Sequence, residues 1–138
     1  MTRPDDLTGS GDDIAELAGR IFDMARNGDA ATLAAYLDAG VPVDLTNSAG
    51  DTLVMLAAYH GHPATVQVLT MRGADVNRVN DRGQTPLAGA VFKGEDEVVR
   101  LLVEAGADPY AGGPNAVDAA QVFGRTEYLE LFGSGDRK

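Results

Sequence analysis

Apolar residues recur along the chain at helical spacing, in short stretches separated by polar turns that contain glycine. Leu17 and Ile21 fall on one such stripe, and Leu33 and Leu37 fall on the next, which ends at Gly40. Apolar residues three or four positions apart lie on one face of a helix, and that face needs a partner to bury it. The pattern therefore predicts an all-α chain of short helices that pack in pairs.

The turns repeat at a fixed period, since each one falls 33 positions after its counterpart. Residues 47–79 read NSAGDTLVMLAAYHGHPATVQVLTMRGADVNRV, and residues 80–112 read NDRGQTPLAGAVFKGEDEVVRLLVEAGADPYAG. The turn residues that coincide are Asn47 with Asn80, Gly50 with Gly83, Thr52 with Thr85, Gly61 with Gly94 and Gly73 with Gly106. We predict a positive φ at Gly50 and a helix N-cap at Thr52. Glycines at a fixed period indicate that the same backbone bends recur, which is the signature of a repeat architecture.

Shorter copies flank these two repeats. Gly28 precedes Gly61 by the full period, whereas Gly124 follows Gly94 by a spacing that is shorter by three. Terminal repeats are expected to deviate because one of their sides faces water. We predict a flexible acidic tail (1–12), a repeat domain (13–132) and a flexible tail (133–138). Within the domain we predict an N-terminal capping repeat (13–46), two full repeats (47–79 and 80–112) and a C-terminal cap (113–132).

Composition and charge narrow the functional classes. The chain has 138 residues, no cysteine and a formal net charge of −10. No secretory signal is visible at the start, and no apolar run approaches the about 20 residues that a membrane helix needs. The negative charge argues against binding to nucleic acid, which depends on lysine and arginine. We therefore expect a soluble, cytoplasmic protein that binds neither membranes nor nucleic acid, and its alanine-rich, lysine-poor composition suggests a bacterial source.

The two full repeats resemble a known family. Residues 83–109, GQTPLAGAVFKGEDEVVRLLVEAGADP, are similar to the ankyrin repeat, whose pattern is a turn glycine, T-P-L-H, two alanines, Gly-His, an apolar helix and G-A-D. Residues 50–77 resemble the same unit, although Met55 and Ala88 replace the histidine of T-P-L-H and Gly89 stands where the family prefers an apolar residue. The resemblance implies a solenoid of helix-turn-helix units with projecting β-turn loops.

The resemblance also implies a concave surface that binds another protein, as a scaffold, an adaptor or an inhibitor. The candidate positions are those that the core does not need, on the turns and at the ends of the short helices. They are Arg26, Asn27, Ser48, Ala49, Asp51, Tyr59, His60, Asp81, Arg82, Gln84, Phe92, Lys93 and Phe123.

Two aromatic residues are the sharpest feature among these candidates. Tyr59 and Phe92 are one full period apart, so they should stand on one face of neighbouring repeats, with Phe123 nearby. Exposed aromatic residues often anchor a protein partner. The structural alternative is that each ring lies against the adjacent repeat and is partly buried.

The charges of the candidate positions predict a groove that is not acidic. The candidate positions contain three cations, Arg26, Arg82 and Lys93, and two anions, Asp51 and Asp81. Their net charge is therefore +1, and the rest of the chain carries −11. A mixed polar groove with aromatic anchors favours a protein or peptide partner over the capture of a strongly basic protein.

The sequence offers little indication of a catalytic or metal-binding site. His60 and His62 are two residues apart beside a turn, but no cysteine or further histidine could complete a metal site. They are the only two histidines of the chain, so no other histidine could serve in a catalytic triad. We therefore predict a monomer that is not an enzyme and that has no cofactor or metal. Two alternatives stay open: an antitoxin-like or immunity-type acidic protein that neutralises a basic partner through its outer helices, and a homo-oligomeric structural subunit.

Overall fold

The computed structural model describes residues 11–135, and the side chains of residues 14–133. This part of the chain contains helices and no strand, apart from an isolated antiparallel bridge between Thr46 and Thr52. The helices are α1 Gly11–Asn27, α2 Ala30–Asp38, α3 Leu53–Tyr59, α4 Pro63–Met71, α5 Pro86–Lys93, α6 Asp96–Glu104, α7 Ala116–Val122 and α8 Thr126–Gly135.

The helices form two layers. The inner layer runs α1, α3, α5, α7, with each helix packed against the next, and the outer layer runs α2, α4, α6, α8 in the same way. A turn joins the two helices of each pair, and a longer segment leads from each outer helix to the next inner one. The predicted all-α stack of helix pairs is therefore confirmed.

The inner helices begin at side chains that cap them. The Thr52 Oγ1 atom accepts a hydrogen bond of 3.2 Å from the Met55 N–H, and Thr85 Oγ1 accepts one of 3.1 Å from the Ala88 N–H. Asn115 Oδ1 does the same for α7 at 2.8 Å. Such a cap satisfies a backbone donor that has no partner within the helix and stabilises by about 1 kcal/mol. The prediction of Thr52 as an N-cap is confirmed.

The segment before each inner helix folds into a projecting turn, which we call a finger. In the first finger Asn47 Oδ1 accepts the backbone N–H groups of Ala49 and Asp51, both at 3.0 Å. Gly50 has a φ of +81°, as predicted, which a residue with a Cβ atom rarely adopts. A Cβ at Gly50 would also lie 2.6 Å from Asp81 Oδ1, so the next finger packs directly on this one.

A buried amide joins the two central fingers. Asn80 is only 5% exposed, and its Oδ1 atom accepts the N–H groups of Arg82 and Gln84, both at 2.9 Å. Its Nδ2 atom donates to Asp51 Oδ1 at 2.8 Å and to Gln84 Oε1 at 2.9 Å. Each polar atom of the amide therefore makes two hydrogen bonds. The bond from Nδ2 to Asp51 joins the second finger to the first.

One apolar core runs through the whole stack between the two layers. Large side chains from both layers fill it, and small residues on the inner helices let neighbouring helices approach closely. Its largest fully buried apolar side chains are Ile21, Leu33, Leu53, Leu69, Leu87, Leu102, Val54, Val66, Val91, Val98 and Val99.

The helical ends differ slightly from the predicted boundaries. Helix α1 begins at Gly11, two residues before the predicted start of the domain at 13. Helix α8 reaches Gly135, whereas the sequence predicted a tail from residue 133. The rest of the predicted tails, residues 1–10 and 136–138, lies outside the described residues. None of the helices in the described part is long and apolar enough to cross a membrane.

Candidate functional site

A groove opens between the inner helices α3, α5 and α7 and the segments that precede them. Its volume is about 620 Å³, which lies within the range of protein cavities that bind other molecules. The groove is lined by Asp51, Met55, Leu56, Tyr59, His60, Arg82, Gln84, Thr85, Ala88, Gly89, Phe92, Pro114, Asp118, Ala119, Val122 and Phe123.

The floor of this groove is formed by small residues on the middle helix, α5. Ala88 and Gly89 of α5 hold the positions that Met55 and Leu56 hold on α3, one repeat earlier. On α7 the position equivalent to Gly89 is Ala119, at a spacing three shorter than the period because the cap is shorter. Two small residues on α5 therefore leave a gap beside the larger side chains of α3, and Ala119 on the side of α7 is small as well.

Three aromatic rings form the end of the groove away from the fingers. Tyr59, Phe92 and Phe123 are 40%, 46% and 47% exposed, respectively. The rings of Phe92 and Phe123 meet edge to face, with their centroids 5.0 Å apart, and the Lys93 Nζ atom lies 4.5 Å from the centroid of the Tyr59 ring. Each ring is thus held by a neighbour of its own chain while much of its surface stays open to water.

His60 lies beside these rings, with its centroid 5.4 Å from that of Tyr59. Its pKa is lowered from the ordinary value, mainly by partial burial and then by the positive charge of Lys93. A histidine with a lowered pKa is neutral at pH 7. His60 therefore adds no positive charge to the groove under ordinary conditions.

The charge of the groove lining differs from the charge of the candidate positions. The lining contains the carboxylates of Asp51 and Asp118 and the guanidinium of Arg82, which sum to −1 instead of the +1 of the candidate positions. The predicted balance counted Arg26, Lys93 and Asp81, which do not line the groove, and it missed Asp118.

The missed residue had a signal in the sequence. Asp118 follows the N-cap Asn115 by three residues, as Ala88 follows Thr85. Extending the candidate positions to the third residue after each N-cap would have included Asp118.

The candidate residues divide between the groove and its surroundings. Those that line it are Asp51, Tyr59, His60, Arg82, Gln84, Phe92 and Phe123; those that do not are Arg26, Asn27, Ser48, Ala49, Asp81 and Lys93.

Most of the residues outside the groove have structural contacts. Arg26 binds Asp23 at 2.7 Å at the end of α1, and the Asp81 N–H donates to the Ala49 carbonyl at 3.0 Å between two fingers. Lys93 reaches the edge of the site through its contact with Tyr59.

Two residues of the lining also have a structural role. Asp51 and Gln84 each accept a hydrogen bond from the buried amide of Asn80, and Asp51 is also 3.5 Å from Asn47 Nδ2. Their polar ends are therefore committed to the contact between fingers. They shape one wall of the groove.

His62, unlike His60, has a structural role. The Nε2 atom of His62 lies 2.7 Å from the carbonyl oxygen of Arg26, to which it donates, because a carbonyl only accepts. The contact joins the turn of the second pair to the end of α1. Among the described residues no group of three or more histidines, aspartates and glutamates is placed to hold a metal ion.

Two comparisons with known proteins bear on this architecture. A family model described as ankyrin repeats, in three copies, matches residues 21–112. A protein of Pseudomonas aeruginosa that is named as an ankyrin repeat protein is 47% identical over 47 residues. That match covers 34% of this chain and 28% of the relative, so it spans less than a third of the relative's length.

Proposed function

Because the chain belongs to the ankyrin-repeat family, we propose that it binds a protein partner through the groove described above. Ankyrin repeats mediate protein–protein interactions, and this chain has the open surface that such a role requires. The observation that carries the proposal is the set of three rings, Tyr59, Phe92 and Phe123, exposed by 40–47% at one end of a groove of about 620 Å³.

The aromatic rings of the groove are held in place before a partner binds. Large aromatic side chains contribute much of the affinity of protein interfaces, and they contribute most when they are already held in place. Phe92 and Phe123 hold one another, and Lys93 lies over Tyr59. A partner therefore meets a surface whose anchors lose little conformational freedom on binding.

The test removes two anchors together. The wild-type chain and a Tyr59→Ala/Phe92→Ala variant are used as baits in extracts of the native cell, and captured proteins are identified by mass spectrometry. We expect the captured partner to bind the variant at least roughly tenfold more weakly, because anchor residues of this type contribute about 2 kcal/mol or more each. Helical circular dichroism should not change, since both rings are partly exposed.

Tyr110→Ala is the matched control. Tyr110 is an aromatic residue that is 60% exposed and does not line the groove. Its removal should leave binding intact. Equal binding by all three proteins would show that the groove does not carry the interaction.

The remaining alternatives give different results. Binding through the acidic outer helices would survive the double substitution and would fall steeply as salt is raised, because exposed charges are screened. We propose that the chain acts as a monomer, and a mass that rises with concentration in light scattering would favour a homo-oligomer instead. We also propose a bacterial source, which the composition and the Pseudomonas relative support, and a cytoplasmic location.

A further inference from the structure

Gly89 lies inside helix α5, where neither the backbone nor the packing requires a glycine. Its φ is not among the positive values, and a Cβ atom built on it would meet only Tyr59 Cδ1, at 3.5 Å, an ordinary contact. A glycine within a helix destabilises it relative to alanine. The fold therefore does not require this glycine. The absence of a side chain at Gly89 leaves space at the floor of the groove.

The gap over Ala88 and Gly89 has apolar walls on both sides. On the side of α3 stand Met55, Leu56 and Tyr59, whose Cδ1 atom is 3.5 Å from the place of a Cβ at Gly89. On the side of α7 stand the small Ala119 and, three residues further on, Val122. A small floor between apolar walls suits the insertion of one large non-polar side chain, which such a pocket discriminates by size.

The charges beside the gap indicate what else the occupant carries. The Asp118 side chain makes no hydrogen bond or ion pair within the described residues; only its backbone N–H is engaged, by Asn115. Asp51 also lines the groove, and Arg82 is the single cation of the lining. The carboxylate of Asp118, which has no partner among the described residues, favours a basic group close to it.

We propose that the groove receives an extended peptide segment of the partner. The segment places one large non-polar side chain in the gap over Gly89 and a lysine or arginine next to it, against Asp118. This inference rests on the proposed function and names the chemistry of its partner. The size of the gap sets the non-polar preference, and the free carboxylate sets the neighbouring charge.

The probe is a displayed library of random linear peptides of about twelve residues, selected against the wild-type chain. The enriched peptides should share a large non-polar residue with a lysine or arginine within two positions of it. Synthetic versions are then titrated by fluorescence anisotropy. Enriched peptides that lack either feature would overturn the proposal.

Gly89→Leu fills the gap and should weaken binding of the selected peptide by about tenfold or more, and Gly89→Ala by less. Both variants should unfold at a higher denaturant concentration than the wild type, since each replaces a helical glycine. Weaker binding by a more stable protein excludes misfolding as the cause. Unchanged binding by Gly89→Leu would overturn the proposal.

Two charge variants test the second half of the inference. Asp118→Asn should weaken the basic peptide several-fold and reduce the salt dependence of its binding, whereas Arg82→Gln should strengthen it. A peptide whose basic residue is changed to glutamine should no longer distinguish Asp118→Asn from the wild type. Equal binding of the basic peptide to all three proteins would overturn the role of Asp118.

The same titrations separate this inference from the proposed function. If Tyr59→Ala/Phe92→Ala weakens binding and Gly89→Leu does not, the groove binds its partner but the gap does not receive a side chain. If neither variant has an effect, the groove itself is not the site.

Discussion

The buried amide of Asn80 should contribute more to stability than its counterpart in the first finger. Asn80→Asp keeps the size of the side chain and leaves oxygens that can accept the N–H groups of Arg82 and Gln84. It removes both donors of Nδ2 and places a carboxylate against Asp51 Oδ1, at the 2.8 Å that the amide now spans.

The expected loss follows from the bonds that disappear. The bond from Nδ2 to the Gln84 amide oxygen is neutral and contributes about 1 kcal/mol, and the bond to the Asp51 carboxylate contributes roughly 1.5–3 kcal/mol. Repulsion between the two carboxylates adds to this. Because Asn80 is only 5% exposed, water can hardly replace the lost donors. We expect the free energy of unfolding to fall by about 3 kcal/mol.

Asn47→Asp is the matched control, since Asn47 occupies the same position one repeat earlier. Its Nδ2 atom has one long contact, 3.5 Å to Asp51 Oδ2, and the residue is partly exposed. We expect a loss of about 1 kcal/mol or less, because a bond of this length is weak.

Urea titrations followed by circular dichroism measure both variants. With a slope of about 1–3 kcal/mol per molar urea, the midpoint of Asn80→Asp should lie below that of Asn47→Asp by roughly 1 M. Burial beside Asp51 should raise the pKa of the introduced carboxyl, so its penalty is complete above that pKa and shrinks as the pH falls toward about 4. Equal losses in the two variants would refute the view that the amide of Asn80 couples the fingers.

Two further substitutions address single contacts of the outer helices. Thr65 is fully buried, and its hydroxyl has no hydrogen-bond partner within the described residues, whereas Val98 occupies the same position one repeat later. Thr65→Val should raise the free energy of unfolding by about 1 kcal/mol in urea titrations, and no gain would mean that the hydroxyl is satisfied in solution. The buried Tyr128 donates its hydroxyl to Asp96 across α8 and α6, and burial together with this bond raises the pKa of the phenol. Tyr128→Phe should cost about 1 kcal/mol, and an unchanged unfolding midpoint would show that the bond is not formed.

The fold could be predicted because its determinants are local and repeated. Gly50 and Thr52 lie next to the bends and caps that they set, and the same residues recur in the next repeat. The bond between Asn80 and Asp51 joins residues 29 positions apart on different fingers, and no local pattern indicates it. The repeat domain was predicted to begin at 13, two residues after the start of α1, since residues 11–13, Gly-Asp-Asp, are typical of turns and caps.

The sequence indicated lining residues on the turns and at the ends of the inner helices, and it missed those in the first turns of the same helices. Tyr59 and Phe92 occupy equivalent positions in two full repeats, so the sequence placed both of them correctly on the groove. The candidate positions did not include the first turns of the inner helices, where Met55, Ala88 and Asp118 lie. Asp118 was therefore missed, whereas Phe123, at the end of the same helix, was among the predicted residues.

In the middle of the groove, Gly89 lowers the stability of helix α5 and leaves space on its surface. Helix α5 has strong determinants of its own: the cap at Thr85, Pro86 in its first turn and Gly94 in a left-handed conformation at its end. These can offset the destabilising effect of Gly89, which is of the order of about 1 kcal/mol. A residue that breaks the local preference of its helix without any packing reason belongs either to function or to drift. At Gly89 the missing side chain coincides with the floor of the groove, between apolar walls and beside an unpaired carboxylate, and this coincidence favours function.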